Sequence, residues 1–343
     1  METIFSTDHR LRASKTELTG GQLVPPFECP ERMDYILASI EQAGLGAVNA
    51  PDAMGIAEIN QIHDADFLAF LETAWAEWKK WGFEGEAIPT VWPSRSMPSG
   101  QIPRFIDGKL GYYALAAETT ISEGTFEAAM ASAQVALTGA ERVNAGARAA
   151  FALCRPPGHH ASTNQYGGYC FINNAAVAAQ YMRNKGAKRV AVLDVDFHHG
   201  NGTQEIFYDR DDVLFVSLHG DPMDVFPHFL GHADEHGTGA GAGFTVNYPM
   251  PPRTPYAVWR VALEDAIAKI MAYAPDALVI SLGVDTFEKD PISFFKLKSA
   301  DFTDMGAMIA AMNLPSLFVM EGGYAVAEIG VNTVNVLTGF EGG

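Results

Sequence analysis

Two carboxylates and two imidazoles stand close together at Asp194, Asp196, His198 and His199. The run Val190–Val195 that leads into them is apolar and rich in β-branched residues, the pattern of a strand buried on both faces of a parallel sheet. Open α/β sheets bind ligands beyond the carboxyl ends of their strands, which is where these residues fall. Asp196 and His198 are two residues apart, so extended chain puts both side chains on one side. A carboxylate and an imidazole so placed begin a metal site, although a strand ending in a polar, hydrogen-bonded loop would look the same. Gly200 and Gly202 permit a tight turn, and Thr203–Tyr208 reads as the start of a helix capped near Gly202 or Thr203.

Other strand ends decide between the two readings. Ala149–Cys154 runs into RPPGHHAS, where Pro156, Pro157 and Gly158 fix a rigid turn just before His159 and His160. Adjacent side chains diverge, so this pair suits a base and its helper better than two metal ligands, and neutral imidazole titrates near working pH. In YGGYCFINNAA, Gly167 and Gly168 let the backbone approach a ligand and Tyr169 offers a flat aromatic wall. Ala277–Leu282 ends in GVDTF, with Asp285 at its tip. Asp196, His198 and Asp285 make an O, N, O set; three protein ligands and one open position is the pattern of a catalytic zinc site. Such an ion is a Lewis acid that lowers the pKa of bound water and polarises a carbonyl. Ser316–Met320 ends in EGGY, a glycine turn that presents Tyr324, whose phenol suits donation to a developing oxyanion. Singly, these features also suit a core-edge aspartate, a surface tyrosine or histidines capping a helix. Together at the ends of strands they point to one site.

The elements needed to hold that site follow from periodicity. Glu2–Ser6 and Val213–Leu218 read as further strands. Pro30–Ala43, Ala65–Trp81, Tyr112–Glu118, Thr125–Ala145, Asn173–Lys185, Pro255–Tyr273, Thr303–Met312 and Ala327–Leu337 read as helices. Alternation of strands and helices implies an α/β fold, an open and mainly parallel sheet with helices on both faces. With no repeat and no linker, residues 1–343 are expected to form one domain. Asp8–Gly21 is polar and loop-like, and His63 suits a loop or capping residue rather than a ligand. Phe83–Lys109 is long and aperiodic, with Pro89, Pro93, Pro98 and Pro103 among aromatics. Segments of this kind are usually functional or disordered, and its aromatics argue against disorder. It reads as an insertion that covers a site or meets a partner.

The 343 residues carry a formal net charge of −18. That field repels nucleic acid and anionic membranes and suits a cationic ligand, though solubility alone would also explain it. No run approaches the ~20 apolar residues of a membrane span, and METIFSTDHRLR lacks the order of a signal peptide. Cys29, Cys154 and Cys170 are widely spaced, without CxxC, and fit a reducing compartment. A cytoplasmic protein is the expectation.

The motifs RPPGHHA, GYCFINNAA, LDVDFHHGNGTQ, SLGVDTF and MEGGY together resemble the zinc-dependent deacetylases of the arginase–deacetylase superfamily, from near the first strand to the last helix. KTELTGG around Glu17, the Pro-rich insertion, LHGDP, FPHF and DPISFFKL resemble the bacterial acetylpolyamine amidohydrolases within it. The resemblance implies hydrolysis of a terminal acetamide to acetate and free amine. It implies zinc at Asp196, His198 and Asp285, and His160 as general base and then general acid. His159 would be its electrostatic neighbour, hydrogen-bonded to Asp194, and Tyr324 would polarise the scissile carbonyl. Gly168 would meet the substrate amide through its backbone, with Tyr169 and Phe226 flanking an aliphatic chain in a tunnel. Glu17, Asp107 and Glu118 would meet the ammonium groups, some of them from a neighbouring subunit. Structural potassium is implied at Asp194, Asp196, His198, Ser217 and Leu218, and again at the backbone of Phe207, Arg210, Val213 and Phe244. The insertion would form a homodimer interface and narrow the tunnel mouth. Asn201 stands where some relatives have Asp. Remaining alternatives are an acetyl-lysine peptide deacetylase, a dimanganese arginase-like hydrolase and a non-catalytic metal-binding module.

Overall fold

Along each central strand the side chains alternate between two buried layers. Val190 and Val192 pack to one side of the sheet, Ala191 and Leu193 to the other, and all four are fully buried. Burial on both faces is why these strands read as continuous apolar runs rather than as alternating ones.

The computed structural model describes residues 1–343. Its first half contains β1 (Glu2–Ile4), β2 (Glu17–Thr19), β3 (Gln22–Val24), α1 (Glu31–Ala43), β4 (Val48–Asn49), α2 (Ala57–Ile62), α3 (Ala65–Lys80), α4 (Ile106–Tyr113) and α5 (Thr125–Asn144). There follow β5 (Ala149–Ala152), α6 (Asn174–Asn184), β6 (Val190–Asp194), α7 (Asn201–Phe207), β7 (Val213–Gly220) and β8 (Thr245–Met250). The chain ends with α8 (Tyr256–Tyr273), β9 (Ala277–Leu282), α9 (Asp301–Ala310), β10 (Ser316–Met320) and α10 (Ile329–Gly342). Eight strands form one sheet in the order β4-β1-β5-β10-β9-β6-β7-β8, every pair parallel. One layer joins residues of α2 to α6 (Ile59, Phe67, Leu110, Ala133, Ala178) to the sheet; the other joins residues of α1, α8, α9 and α10 (Met33, Leu263, Met305, Val336). This topology sets the site: β5, β10, β9 and β6 are neighbours, and being parallel they deliver all four motifs to one edge.

The structure departs from expectation at the periphery. β8 lies at the edge beside β7, where Pro249 costs no ladder bond that a central strand would need. β4, at the opposite edge, is two residues long. Neither carries a continuous apolar run, so neither was visible in the pattern. Asp8–Gly21 is not simply a loop. Residues Thr7–Leu11 form a 3-10 turn, and β2 and β3 form a hairpin around Gly20 and Gly21, both at positive φ. The expected helix at Tyr112–Glu118 is instead α4, whose buried face is Ile106, Leu110 and Tyr113, and the chain beyond is not helical. α7 begins at Asn201 with Gly200 as its cap, ahead of the expected cap at Gly202 or Thr203. His63 ends α2, its Nδ1 2.9 Å from the Ser162 carbonyl while Nε2 accepts from Asn173 N at 2.9 Å; it is a buried structural residue.

The insertion is anchored at both ends. Phe83 stacks on Trp78 with ring centroids 4.1 Å apart, and Trp92 Nε1 donates to the Ala114 carbonyl at 2.9 Å. Gly111 lets the Val91 carbonyl approach α4 closely; a Cβ there would collide with it. At the far end Phe105 packs edge-on against Trp81 with ring centroids 4.9 Å apart, and between Phe83 and Phe105 the side chains of Val91, Met97 and Ile102 are exposed.

Candidate active site

β6 ends at Asp194, and the residues after it and after β9 bring three side chains that could hold a metal, Asp196, His198 and Asp285, close together. His198 Nδ1 lies 3.0 Å from Asp285 Oδ2 and 3.4 Å from Asp196 Oδ1. Backbone donors fix the carboxylates: Phe197 N to Asp285 Oδ1 at 2.7 Å, His198 N to Asp196 Oδ1 at 2.8 Å and Gly322 N to Asp196 Oδ2 at 2.8 Å. Gly322 and Gly283 are required here, since a Cβ at either would strike the Asp196 carboxylate. Burial pushes Asp285 up to about 8, with repulsion from Asp196 adding to it. Burial opposes a charge on His198, yet the two carboxylates lift it to about 10. A divalent cation among these three donors would take the place of the protons that the shifts call for, so the donor set fits a metal.

A second trio, His159, Cys170 and Glu321, is equally compact. It does not fit a metal as well. None of the three lines the cavity that His198 faces, and Cys170 Sγ already donates to the Gly168 carbonyl at 3.2 Å. One metal trio therefore stands out.

The histidine pair from the β5 turn sits beside the first trio. The rings of His159 and His160 do not diverge as extended chain suggests; their centroids are 3.9 Å apart. His159 Nδ1 is 3.0 Å from Asp194 Oδ2, and its Nε2 is 3.8 Å from Asp196 Oδ2. Against the opposing effect of burial, Asp196 and Asp194 raise it to about 10. His160 has the opposite fate. Burial and the neighbouring charges of His159 and His198 push it well below its ordinary value. Its Nδ1 faces Asn201 Oδ1 at 2.7 Å, and Asn201 Nδ2 donates to the His160 carbonyl at 3.2 Å. The second bond fixes which end of the amide faces the ring, so Nδ1 carries the proton and Nε2 is left basic.

Tyr324 leaves β10 through the glycine turn and faces the same cavity. Its peptide N–H donates to Asp290 Oδ2 at 2.7 Å, and its ring lies 4.9 Å from the Arg32 guanidinium carbon. Burial raises the phenol well above its usual range, against the lowering effect of Arg32, so it keeps its proton and can donate.

These groups open on a cavity of about 440 Å³ lined by His160, His198 and Tyr324 at its base, with Tyr169, Phe226 and Gly168 as walls. Phe226 stands perpendicular to the His160 ring at 4.9 Å. Glu17 and Glu118 also line the cavity. Glu17 is buried on the hairpin and accepts from Tyr169 Oη at 2.8 Å, Thr19 Oγ1 at 2.9 Å and Phe27 N at 3.0 Å. Glu118 accepts from Gly168 N at 2.8 Å. That bond takes the Gly168 N–H, so a substrate amide can meet only its carbonyl. Asp107 does not line the cavity of its own chain; it lies in the first turn of α4 and accepts from Thr90 Oγ1 at 2.9 Å. Nor does any residue of 83–109 line it.

The groups expected around potassium are buried or backbone. Asp194 Oδ1 accepts from Asp196 N at 3.1 Å, and Ser217 Oγ is 2.8 Å from His219 Nδ1 while Leu218 continues β7. The Phe207 carbonyl accepts from Arg210 N at 3.1 Å, Val213 opens β7, and the Phe244 carbonyl accepts from Phe215 N at 2.9 Å.

Several residues escaped the sequence reading. Glu28 is buried between Arg155 Nε at 2.7 Å and Arg32 Nη1 at 3.1 Å, and Arg32 in turn donates to the carbonyls of Gly323 at 2.7 Å and Glu321 at 2.6 Å. This ion cluster fixes the turn that carries Tyr324. Arg155, directly before PPGHH, was the only local hint, because an arginine at the end of an apolar strand needs a buried partner.

Sheet and site together define a member of the deacetylase class. The family model described as histone deacetylase domain matches residues 26–340, and the chain belongs to that family. It is 60% identical over 342 residues to the acetylpolyamine amidohydrolase of Mycoplana ramosa, covering 100% of both chains. It is 54% identical over 343 residues to acetylpolyamine amidohydrolase 1 of Pseudomonas aeruginosa, covering 100% of this chain and 99% of that one. The crystal structure of the acetylpolyamine aminohydrolase from Burkholderia pseudomallei superposes with a TM-score of 0.94 at 41% identity, covering 99% of this chain and 98% of that one. The histone deacetylase-like amidohydrolase of P. aeruginosa is 37% identical over 236 residues, 66% of this chain and 62% of that one.

Proposed function

We propose that this protein hydrolyses the terminal acetamide of acetylated polyamines to acetate and a free amine, with a zinc ion held by Asp196, His198 and Asp285. The observation that carries the reading is one cavity lined by His198 of this compact trio, the His160 imidazole, the Tyr324 phenol and two carboxylates, Glu17 and Glu118. Bound there, zinc would supply Lewis acidity toward water and the carbonyl. His160 takes a proton from the attacking water through Nε2 and returns it to the leaving amine. Asn201 keeps the tautomer that permits this. The His159–Asp194 pair supplies a fixed dipole or charge beside it. Tyr324 donates to the oxygen on which negative charge develops. Tyr169 and Phe226 exclude water along an aliphatic chain, and the Gly168 carbonyl receives the substrate N–H. Potassium at the Asp194–Ser217 and Phe207–Phe244 positions would stiffen β6 and β7 behind the ligands.

The same base would serve an acetyl-lysine peptide, and the mouth separates the two readings. Glu17 and Glu118 favour a second positive charge on the substrate, and the whole chain's charge of −18 attracts one. Glu17→Gln or Glu118→Gln should raise KM for an acetylated polyamine several-fold more than for a neutral acetamide of equal length, with kcat little changed. Steady-state kinetics at two ionic strengths checks this: the difference should shrink with salt for Glu118→Gln and persist for Glu17→Gln, whose carboxylate is buried. Equal changes for both substrates would remove these carboxylates from recognition.

The chain is further proposed to act as one catalytic domain that pairs in a cytoplasmic homodimer through 83–109, with no role for nucleic acid. No helix is long and apolar enough to cross a membrane. The exposed Val91, Met97 and Ile102 between anchored ends support the pairing. Sizing of the intact protein should give a dimer, and shortening the insertion should give monomers with improved peptide turnover relative to polyamine. An intact monomer, or an unchanged ranking in the shortened form, contradicts this.

A further inference from the structure

Glu321, the glutamate that opens the EGGY motif, is a fully buried carboxylate to which the motif reading assigns no role. A buried carboxylate is costly unless hydrogen-bonded donors surround it. Its Oε2 accepts from Gly158 N at 2.7 Å and from His159 N at 3.2 Å, and Ser281 Oγ reaches its Oε1 at 3.3 Å. The first two donors belong to the turn that delivers His160. Glu321 itself begins the turn that delivers Tyr324, and its own peptide is held on both sides. Its N–H donates to the Leu282 carbonyl at 3.0 Å, and its carbonyl accepts from Arg32 at 2.6 Å.

We infer that Glu321 is a positioning residue, a tie that sets the distance between the His160 base and the Tyr324 donor across the cavity. The inference rests on the roles proposed for those two residues. The argument is geometric. The β5 turn and the β10 turn lie side by side at the sheet edge, and this one side chain bridges them by accepting from two consecutive peptide N–H groups. One bonded N–H is that of the residue directly before His160; the tie's other end is three residues before Tyr324. Substrate binding depends on the walls and mouth, which the tie does not touch. Proton transfer and oxyanion stabilisation depend on both turns being in register, and a displacement near 1 Å from a remote change can cost about 10²-fold.

The test compares three variants of the zinc-loaded full-length enzyme, Glu321→Ala, Glu321→Asp and Glu321→Gln, with acetylputrescine as substrate and metal content and thermal unfolding measured alongside. Glutamine keeps an oxygen at the right reach for both N–H groups, whereas aspartate keeps the carboxyl group but falls one methylene short. The expected result is a kcat loss of roughly 10- to 100-fold for Ala and Asp, KM within about threefold, one metal per chain, and recovery of most of kcat in Gln. Because the tie acts through both catalytic groups, Tyr324→Phe should cost less in the Glu321→Asp background than in the wild type. If the alanine variant does not fold, Asp and Gln decide. Wild-type kcat in Asp, equal impairment of Gln and Asp, or additive losses with Tyr324→Phe would each overturn the inference. A wild-type enzyme inert toward acetylputrescine would instead defeat the proposed function itself.

Discussion

Alanine at Asp196, His198 or Asp285 should strip the metal and the activity together. Each substitution removes one of three buried donors and leaves the others repelling or overprotonated. Outer-shell partners of a metal are already worth about 10- to 100-fold in affinity or activity, and a direct ligand must exceed that. The loss should also be visible without turnover, as a metal-to-chain ratio near zero after dialysis. It should not unfold the protein, because the carboxylates sit at strand ends while the two apolar layers lie below them. Full metal occupancy in all three variants would show that the trio is not the metal centre.

Loss of the base or the phenol should separate chemistry from binding. His160→Ala should lower kcat by on the order of 10²–10⁴, the usual worth of a positioned general acid–base, with metal content unchanged. Tyr324→Phe should lower kcat by on the order of 10²–10³ with a modest KM change, since its bond matters most as charge develops. The structure favours His160 over His159 for the proton transfer. His160 lines the cavity with its Nδ1 on the neutral Asn201 amide, whereas His159 does not reach the cavity and both its ring nitrogens face Asp194 and Asp196. Stopped-flow acetate release or steady-state kinetics checks both variants. A His160→Ala enzyme that keeps most of its kcat would move the base to His159, and a near-normal Tyr324→Phe would falsify the phenol's role.

What was legible in the sequence was the part dictated by the centre of the sheet. β9 and β10 were placed at their observed bounds because double burial writes an uninterrupted apolar run, and Asp285 and Tyr324 follow directly from where those runs stop. The site was legible for the same reason: each chemical motif abuts a buried strand. The edge strand β8 was not, because one face is only partly covered and Pro249 breaks the expected composition. The hairpin that buries Glu17 is too short and polar to stand out from loop, although Gly20–Gly21 between short strands is a turn signal. α4 was read too late in the chain because Pro103 and the aromatics around it masked its start. Contacts between distant segments left no local trace at all. Arg32 holding the Glu321 and Gly323 carbonyls, and Glu28 joining two arginines, depend on α1 lying beside the end of β10. Pattern reading does not see such pairings.

The most direct test of the account is a competition of substrates on one preparation. Purified, zinc-loaded protein is given acetylputrescine, acetylcadaverine and an acetyl-lysine peptide, and acetate release is followed with and without a chelator. The account predicts chelator-sensitive turnover with kcat/KM for the acetylated polyamines at least about tenfold above the peptide, a difference near 1.4 kcal/mol in transition-state stabilisation. Peptide turnover equal to or faster than polyamine turnover, or acetate release that survives metal removal, would contradict it.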